Sequence, residues 1–174
     1  MRDQDLLSLT TSEVTRGQPL AKTLLALNNA HAQELSWLEP ARLQHLVSQA
    51  FLARRIGDLD AFLLAFDQDA DHDSPNFLWF RERYPRFVYI DRIVVAASAR
   101  RRGCARRLYR DLFEQGSRAG HACVVCEVNI SPPNPASDAF HTALGFVEVG
   151  SASVHEARKT VRYLSRGLDQ PSVI

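Results

Sequence analysis

The sequence predicts an α/β domain in which a mixed, mostly antiparallel central sheet is flanked by helices. Two helical patterns and two adjacent strand patterns occupy the first half of the chain, and a strand, a helix and another strand begin the second half. A chain of 174 residues with 45% hydrophobic residues can bury one core without splitting. We therefore expect a single domain over residues 1–168 and a frayed tail over residues 169–174.

The first half begins with a polar arm and continues with two helices and a hairpin. Hydrophobic residues at helical spacing predict a first helix over residues 20–38, and Pro40 is placed to open a second helix at its first turn. The runs FLARRIG and DAFLLAFDQ follow, separated by Gly57 and Asp58, which are typical of a tight turn. These runs predict two adjacent antiparallel strands.

The middle of the chain, residues 70–86, is its least regular segment. It holds two prolines and four aromatic side chains. Together with Trp37, these aromatic residues are numerous enough to wall a substrate pocket, but most aromatic side chains in a domain of this size belong to the core. Both interpretations remain open at this point.

The second half alternates strands and helices in the order of a βαβ unit. A β-branched run predicts a strand over residues 87–95, and an arginine-rich turn leads from it into a helix. The elements predicted after the turn are a helix over residues 106–120, a strand over residues 122–130, a proline-rich loop, a short helix over residues 137–144, and the strands FVEVG and KTVRYL.

The arginine-rich turn, residues 100–105, predicts a phosphate site. Gly103 and Ala105 are small enough for backbone N–H groups to approach an anion, and a helix that begins near Cys104 directs its positive end at it. Eight arginines lie between residues 92 and 118, although the net charge of the chain is only +1. Cations at a helix N-terminus oppose the helix dipole unless an anion is bound, so this clustering indicates a local anion site.

Two motifs carry a resemblance to a known family. Arg100-x-x-Gly103-x-Ala105 resembles the pyrophosphate loop, Arg/Gln-x-x-Gly-x-Gly/Ala, of the GNAT superfamily of acetyl-CoA-dependent N-acetyltransferases. Residues 134–146 resemble the family segment Asn-x-x-Ala/Ser-x-x-Phe/Leu-Tyr-x-x-x-Gly-Phe. His141 stands where the family usually has tyrosine. The residues in register there are Asn134, Ser137, Phe140, Gly145 and Phe146.

The resemblance implies how acetyl-CoA is bound. In the family the strands corresponding to residues 87–95 and 122–130 splay apart, and the pantetheine arm enters the gap like a missing strand. Asn134 is expected to hold the cofactor from the opposite wall, or only to cap the short helix. The expected cofactor contacts are the backbone of Ile93, Val94 and Val95 and the turn residues Arg100, Arg101, Arg102, Gly103, Cys104 and Ala105.

Arg101 departs from the family pattern, because this position is often glycine. A residue other than glycine is tolerable there at negative φ. Its guanidinium group is then an additional contact for the 3′-phosphate of the nucleotide.

The resemblance also implies direct attack of a neutral amine on the thioester, which requires a proton acceptor, a donor to the carbonyl and an acid for the thiolate. The backbone N–H near Val95 is the expected carbonyl donor. Tyr89 and Asp91 share the strand parity of Ile93 and Val95, so both are candidates for the cleft. Asp91 is either the proton acceptor or the ion-pair partner of a neighbouring arginine. His141 is the candidate acid, or it only makes hydrogen bonds.

The expected partners are acetyl-CoA, as cosubstrate, and a small-molecule, peptide or protein amine. A non-catalytic acyl-CoA-binding or regulatory module of the same fold is the alternative, which the missing tyrosine favours. Near-neutral net charge and the lack of aromatic residues among the arginines disfavour nucleic acid. A homodimer is a further expectation.

Several negative expectations complete the sequence-based picture. No histidine spacing makes a zinc set, and the alternating aspartates of residues 67–73 lack the glycine and glutamate of a calcium loop, so we expect no metal. Cys123 and Cys126 lie on opposite faces of a strand and are expected to be buried hydrophobes. The N-terminus lacks a signal-peptide core and no apolar run reaches membrane-spanning length, which favours a cytoplasmic protein without membrane contact.

Overall fold

A computed structural model describes residues 5–154 and 158–168, in which seven strands form one open sheet flanked by five helices. The strands are β1 (Leu6–Ser8), β2 (Leu52–Ile56), β3 (Ala61–Asp67), β4 (Phe87–Val95), β5 (Cys123–Ser131), β6 (Val147–Val154) and β7 (Lys159–Gly167). The helices are α1 (Pro19–Asn29), α2 (Pro40–Gln49), α3 (Pro75–Arg81), α4 (Cys104–Arg118) and α5 (Pro135–Ala143).

The sheet has the strand order β1-β2-β3-β4-β5-β7-β6. The pair β4–β5 is parallel and the other five neighbouring pairs are antiparallel. Helix α4 makes the crossover between the parallel pair, as a βαβ connection requires. The predicted fold class is therefore confirmed.

The sheet separates two hydrophobic cores, because strand side chains alternate between its faces. Helices α1, α2 and α3 cover one face, where Tyr89 and Val125 are buried. Helices α4 and α5 cover the other face, where Ile90 and Val124 are buried. We call these the α1–α3 face and the α4–α5 face. Cys123 belongs to the first core and Cys126 to the second, and both are free thiols, as predicted.

The predicted helix over residues 20–38 is wrong in its second half, since α1 ends at Asn29. Two asparagine side chains turn the chain there. Asn28 Nδ2 donates to the Ser36 carbonyl at 3.0 Å, and Asn29 Oδ1 accepts from the Leu38 N–H at 2.8 Å. Asparagine side chains compete with helical hydrogen bonds in this way, so residues 30–39 form a compact connection to α2.

Two elements were not predicted. The polar arm contains the short edge strand β1, in which Leu6 lies opposite Ile56 of β2. The irregular segment 70–86 contains α3, which begins at Pro75 and buries Phe77 and Phe80 in the core. At only seven residues, α3 has too little sequence to show a helical period.

The elements of the second half agree with their predicted positions within a few residues. Strand β4 has the predicted bounds, and α5 begins at Pro135, directly after its predicted cap Asn134. Strand β6 continues to Val154, well beyond the predicted run FVEVG. The predicted frayed tail, residues 169–174, lies outside the described residues, and Leu168 just before it is buried.

The helices are short. The longest in the described ranges, α4, has 15 residues, and none there is long and apolar enough to cross a membrane. Within the same ranges no three His, Cys, Asp or Glu side chains come together as a metal-binding group.

Candidate active site

Strands β4 and β5 form a fork. Their parallel ladder joins only Phe87–Tyr89 to Cys123–Val125. Beyond these three pairs β4 stays bonded to β3 as far as Val95, which lies opposite Ala61, whereas β5 stays bonded to β7. On the side of β4 that faces away from β3, the backbone of Ile93, Val94 and Val95 thus has no ladder to β5. An extended chain can pair with this free edge. This is the geometry expected for the pantetheine slot.

The N-terminus of α4 lies just beyond the end of β4. Gly103 is its N-cap at φ +78°, and its first turn holds no acidic residue. No side chain in the described ranges caps the helix. A Cβ atom built on Gly103 meets no atom within 4 Å, so the backbone is open to the outside. Arg100, Arg101 and Arg106 are exposed around it, and Arg102 forms an ion pair with Asp60 at 3.4 Å. Uncapped N–H groups among arginines favour a phosphate group.

Arg101 has a left-handed backbone, with φ +62°. The condition of a negative φ, under which a residue other than glycine is easily tolerated here, is therefore not met. Arg101 is the one non-glycine residue with positive φ in the described part of the chain, and this conformation costs an arginine about 1–2 kcal/mol relative to glycine. The turn thus keeps the glycine-type geometry of the family loop while carrying a guanidinium group.

A β-bulge at Asp91 changes which face the β4 side chains occupy. Arg92 lies opposite Leu64 of β3 and Ile90 lies opposite Ala65, so Asp91 has no partner in the ladder. One extra residue shifts the alternation by one. Tyr89 and Asp91 therefore lie on the α1–α3 face, whereas Ile93 and Val95 pack against the α4–α5 core. The prediction that these four side chains share a face was wrong.

Asp91 is part of a buried ion-pair network. Oδ2 accepts from Arg92 Nε at 2.9 Å, and Oδ1 lies 3.1 Å from His72 Nε2. His72 Nδ1 accepts from the Ser74 N–H, so the neutral ring carries its proton on Nε2 and donates to Asp91. Burial alone raises the pKa of Asp91, and His72 and Arg92 outweigh it and lower the pKa. Both oxygens are thus engaged, as in the ion-pair interpretation.

Arg92 connects this network to the connection between α1 and α2. Its guanidinium group donates to Asn28 Oδ1 at 2.9 Å and to the carbonyl and hydroxyl oxygens of Ser36 at 2.9 and 2.7 Å. Arg92 is only 6% exposed. The buried arginine therefore holds residues 30–39 against the bulge.

Glu127 is the functional candidate that the sequence-based reasoning missed. It lies on β5 two residues past the last pair of the parallel ladder, on the face of Tyr89. The Tyr89 hydroxyl donates to Oε1 at 3.0 Å, across the fork. Oε2 is buried without a hydrogen-bond partner in the described residues. A buried acceptor of this kind needs a donor, and an attacking amine supplies one.

The electrostatic environment of Glu127 suits a base at neutral pH. Burial raises its pKa to about 7, with a further contribution from Asp91, against the lowering effect of Tyr89 and Asn76. Burial also raises the pKa of Tyr89 well above its usual value, so its phenol stays protonated and donates. Tyr89 is thus a hydrogen-bond donor to Glu127. The prediction that its side chain faces the substrate cleft remains a proposal. Glu127 is the one charged residue in the run ACVVCEVNI, a signal that the sequence did contain.

His141 is buried between α4 and α5. Its Nδ1 lies 2.7 Å from the Ser137 carbonyl, so in the neutral ring Nδ1 carries the proton, and Nε2 accepts from the Tyr109 hydroxyl at 2.7 Å. Burial lowers the pKa of His141, against Ser137 and Asp138, which raise it. The ring is thus neutral at neutral pH with both nitrogens engaged. Its role as an acid remains a prediction, and the Tyr109 hydroxyl is its only partner on Nε2 in the described chain.

The remaining predicted site residues are Asn134 and the aromatic side chains proposed to wall a substrate pocket. Asn134 caps α5, because its Oδ1 accepts from the Ser137 N–H at 3.3 Å, and its cofactor contact remains a prediction. Of the aromatic residues, Phe77 and Phe80 are core and Trp79 stacks on Tyr163 at 4.2 Å. Tyr84 is partly buried against the same core. Trp37, by contrast, is 63% exposed.

The chain matches the sequence model of the acetyltransferase (GNAT) family over residues 48–146, more than half of its length. The chain belongs to this family. The match spans the fork, the arginine turn and Glu127, and it ends one residue before β6. The GNAT match therefore covers every group assembled above except Asn28 of α1, the α1–α2 connection and β7.

Solved structures share the GNAT fold over nearly the whole chain. The ribosomal-protein-S18-alanine N-acetyltransferase from Escherichia coli is 18% identical, with a TM-score of 0.65 over 98% of this chain and 97% of that one. Ard1 from Thermoplasma volcanium is 12% identical, with a TM-score of 0.71 over 95% and 97%. The yncA protein of Salmonella typhimurium, solved with its cofactor acetyl-CoA, is 14% identical, with a TM-score of 0.67 over 98% and 97%. No curated protein matches the chain in sequence.

Proposed function

We propose that this GNAT family member transfers an acetyl group from acetyl-CoA to an amine nitrogen, with Glu127 as the proton acceptor. One observation carries the proposal. Among the described residues, Glu127 Oε2 at the base of the fork is buried without a hydrogen-bond partner, and the α4 N-terminus among arginines at its far end has no side-chain cap. These two ends suit an amine on one side and a pyrophosphate on the other.

The residues present fit acetyl-CoA. The open backbone at Gly103 and the exposed Arg100 suit the pyrophosphate, and the free edge of Ile93, Val94 and Val95 suits the amides of the pantetheine arm. When bound, acetyl-CoA supplies a thioester whose carbonyl carbon an amine can attack with loss of the CoA thiolate.

Two groups of the protein then act in the reaction: one accepts the proton of the amine, and the other stabilises the charge on the thioester oxygen. Glu127 Oε2 accepts the proton that the amine loses as its nitrogen bonds to carbon, and Tyr89 holds the other carboxylate oxygen. The backbone N–H near Val95 donates to the thioester oxygen as negative charge develops on it. Asp91, whose oxygens are engaged by His72 and Arg92, holds the bulge that orients Tyr89.

The acceptor class is part of the proposal. A small-molecule, peptide or protein amine is the acceptor. The similar fold of the S18-alanine N-acetyltransferase supports testing peptide N-termini among the candidate acceptors. We place the protein in the cytoplasm, as a single domain over residues 1–168 that acts on neither nucleic acid nor membranes. A homodimer is included in this proposal.

A second candidate function has one specific observation in its favour. His141 stands at the position of the family tyrosine, and its Nδ1 and Nε2 are hydrogen-bonded to Ser137 and Tyr109, respectively. Two internal hydrogen bonds suit a structural role. A non-catalytic acyl-CoA-binding module would keep the cofactor site and lack turnover.

A two-stage experiment tests both candidates. Acetyl-CoA raises the melting temperature if it binds the native state, because ligand binding stabilises that state by mass action. A panel of small amines, amino acids and peptides is then assayed for thiol release from acetyl-CoA. Amine-dependent release supports the transferase, binding without release supports the module, and an unmoved melting curve at millimolar acetyl-CoA overturns both.

A further inference from the structure

Strand β5 carries a second polar side chain on the wall of the fork. Asn129 lies two residues beyond Glu127, and it shares a face with Glu127 and Val125 because strand side chains alternate. Val125 is buried in the core of the α1–α3 face. The bulge in the β5–β7 ladder comes only after Asn129, at Ile130. Asn129 therefore lies on the same side of the sheet as the proposed proton acceptor.

The amide group of Asn129 has no hydrogen-bond partner within residues 5–154 and 158–168, although the residue is only 8% exposed. Its neighbour across the β5–β7 ladder is Val161, which is apolar and buried. The enclosed side-chain atoms without a partner in that part of the chain include Glu127 Oε2 but neither amide atom of Asn129. The amide is therefore open to the space beside the strand.

That space belongs to the fork. Asn129 lies four residues past Val125, where the parallel ladder to β4 ends, so in the described chain β5 has no ladder on that side at this level. A largely buried amide, which can both donate and accept, needs a partner. A substrate that enters the fork to reach Glu127 supplies one.

The spacing of the two side chains limits what can contact both. Residues two apart in a strand are about 6.6 Å apart, and each hydrogen bond spans about 2.9 Å. The two polar groups of the substrate must therefore be close neighbours, as the amine and the amide of an aminoacyl amide are. An amide group also matches Asn129 in kind, because its oxygen accepts from Nδ2 and its N–H donates to Oδ1.

Charge and hydrogen bonding disfavour two other kinds of acceptor. The carboxylate of a free amino acid would add a negative charge beside Glu127, where Asp91 already raises the pKa of the carboxyl by repulsion. The methylene chain of a lysine side chain has no polar group near its amine, so it would leave the Asn129 amide unpaired.

We propose that Asn129 is a specificity-determining residue that binds the amide next to the attacking amine, so that the acceptor is the α-amine of an aminoacyl amide, such as a peptide N-terminus. This inference rests on the proposed function, in which Glu127 Oε2 receives the proton of the amine. Asn129 holds the acceptor by its first amide group and thereby aligns the nitrogen with the carboxylate.

Thiol release from acetyl-CoA with three acceptors tests the assignment. Glycinamide carries the amide next to the aminomethylene group, β-alaninamide carries it one methylene further away, and n-propylamine lacks it. Asn129→Leu deletes the amide at similar volume, so kcat/KM should fall about 5- to 10-fold for glycinamide and less than about two-fold for n-propylamine. The fall for β-alaninamide should lie between these values, and acetyl-CoA affinity should not change. Comparison of variant and wild type on the same acceptor cancels the differences in amine basicity.

Two further variants complete the kinetic test. Asn129→Ala takes the place of Asn129→Leu if the latter does not fold. Ser131→Ala is the matched control, because Ser131 is exposed at the end of β5, and it should keep the wild-type preference among the acceptors. Unchanged kcat/KM for glycinamide in the Asn129 variants, or an equal fall for glycinamide and n-propylamine, would overturn the inference.

A binding measurement separates this inference from the proposed function. In the complex of the full chain with CoA, glycinamide should shift the NMR signals of the Asn129 side-chain amide, whereas n-propylamine should not. The signals are identified by their absence from the spectrum of Asn129→Leu. A wild type that binds acetyl-CoA and releases no thiol with any amine overturns the proposed function, whereas amide signals that glycinamide leaves unmoved overturn the role of Asn129.

Discussion

The two ends of the fork are built in different ways. The phosphate end is one turn of chain, residues 100–105, whose backbone and side chains are neighbours in sequence. The acceptor end collects Tyr89, Asp91 and Glu127 from the two strands β4 and β5. An anion is recognised by local backbone geometry and a helix dipole, whereas a proton acceptor depends on burial and neighbouring groups. The two ends should therefore respond differently to substitution.

The largest effect is expected at Glu127. Glu127→Gln removes the proton acceptor with little change of shape, so turnover should fall by about 100-fold or more while acetyl-CoA affinity stays unchanged. The steady-state rate of thiol release and a calorimetric binding measurement check this.

Asp91→Asn is the matched comparison at the same end. It breaks the ion pair with Arg92 and lowers stability, but it leaves the Glu127 carboxylate in place, so a variant that stays folded should keep most of its turnover. If Asp91→Asn abolishes turnover and Glu127→Gln does not, the proton acceptor has been assigned to the wrong carboxylate.

The next effect concerns the phosphate end and leaves the acceptor end intact. Gly103→Val forces a β-branched residue to φ +78°, which displaces the backbone from the pyrophosphate position. Affinity for acetyl-CoA should fall by about 10-fold or more, which follows from the loss of about 1.4 kcal/mol of binding free energy. The thermal shift at a fixed acetyl-CoA concentration should then become smaller.

Gly120→Val is a control for backbone strain. Gly120 has φ +77° at the other end of α4, far from the turn. This variant should lose similar stability and keep its acetyl-CoA affinity. Equal loss of affinity in both variants would mean that strain alone accounts for the effect at Gly103.

The buried carboxylate also predicts how stability depends on pH. The pKa of Glu127 is raised from 4.5 to about 7 in the folded state, so its contribution is most favourable below pH 4.5 and is lost as the pH rises to about 7. Glu127→Gln should therefore gain stability relative to the wild type between these values, by at most about 3 kcal/mol at pH 8. Urea unfolding at pH 5 and pH 8 measures it, and an equal difference at both pH values would contradict the raised pKa.

A smaller effect is expected at the pair formed by His141 and Tyr109. His141→Ala should reduce turnover by about 10-fold at unchanged acetyl-CoA affinity if the pair assists the leaving thiolate. Tyr109→Phe keeps the ring and deletes the hydroxyl, and should give a similar loss. Turnover at the wild-type level in both variants would leave the pair with a packing role, whereas an active His141→Tyr variant would show that the position matters more than the imidazole.

The smallest effect is expected at Arg101. Arg101→Gly relieves the left-handed backbone and should stabilise the free protein by about 1 kcal/mol. If the guanidinium contacts the 3′-phosphate, the variant should also lose a few-fold in affinity for CoA but not for dephospho-CoA. Arg101→Asn, which tolerates the same φ, separates the loss of charge from the change of backbone. Equal losses for both nucleotides would exclude the 3′-phosphate contact.

The phosphate end was predictable because its information is local. The strand over residues 87–95, the glycine at Gly103 and the helix start at Cys104 were each read from adjacent residues, and each is found in the structure. The same locality explains why Asn134 matches a cap, since caps depend on neighbouring residues. The β-branched runs and the prolines likewise placed most elements of the second half.

The acceptor end was decided by tertiary structure. A bulge at Asp91 reverses strand parity, and no residue type at that position announces it. The charge of Glu127 was visible in sequence, but its pKa depends on burial and on groups that lie 36 or more residues away along the chain, such as Asp91 and Tyr89. The sequence by itself determined the elements and the anion turn, because propensity, turns and caps are short-range properties. Only the packed sheet decided the proton acceptor, because desolvation and hydrogen bonding between strands do not exist until the strands meet.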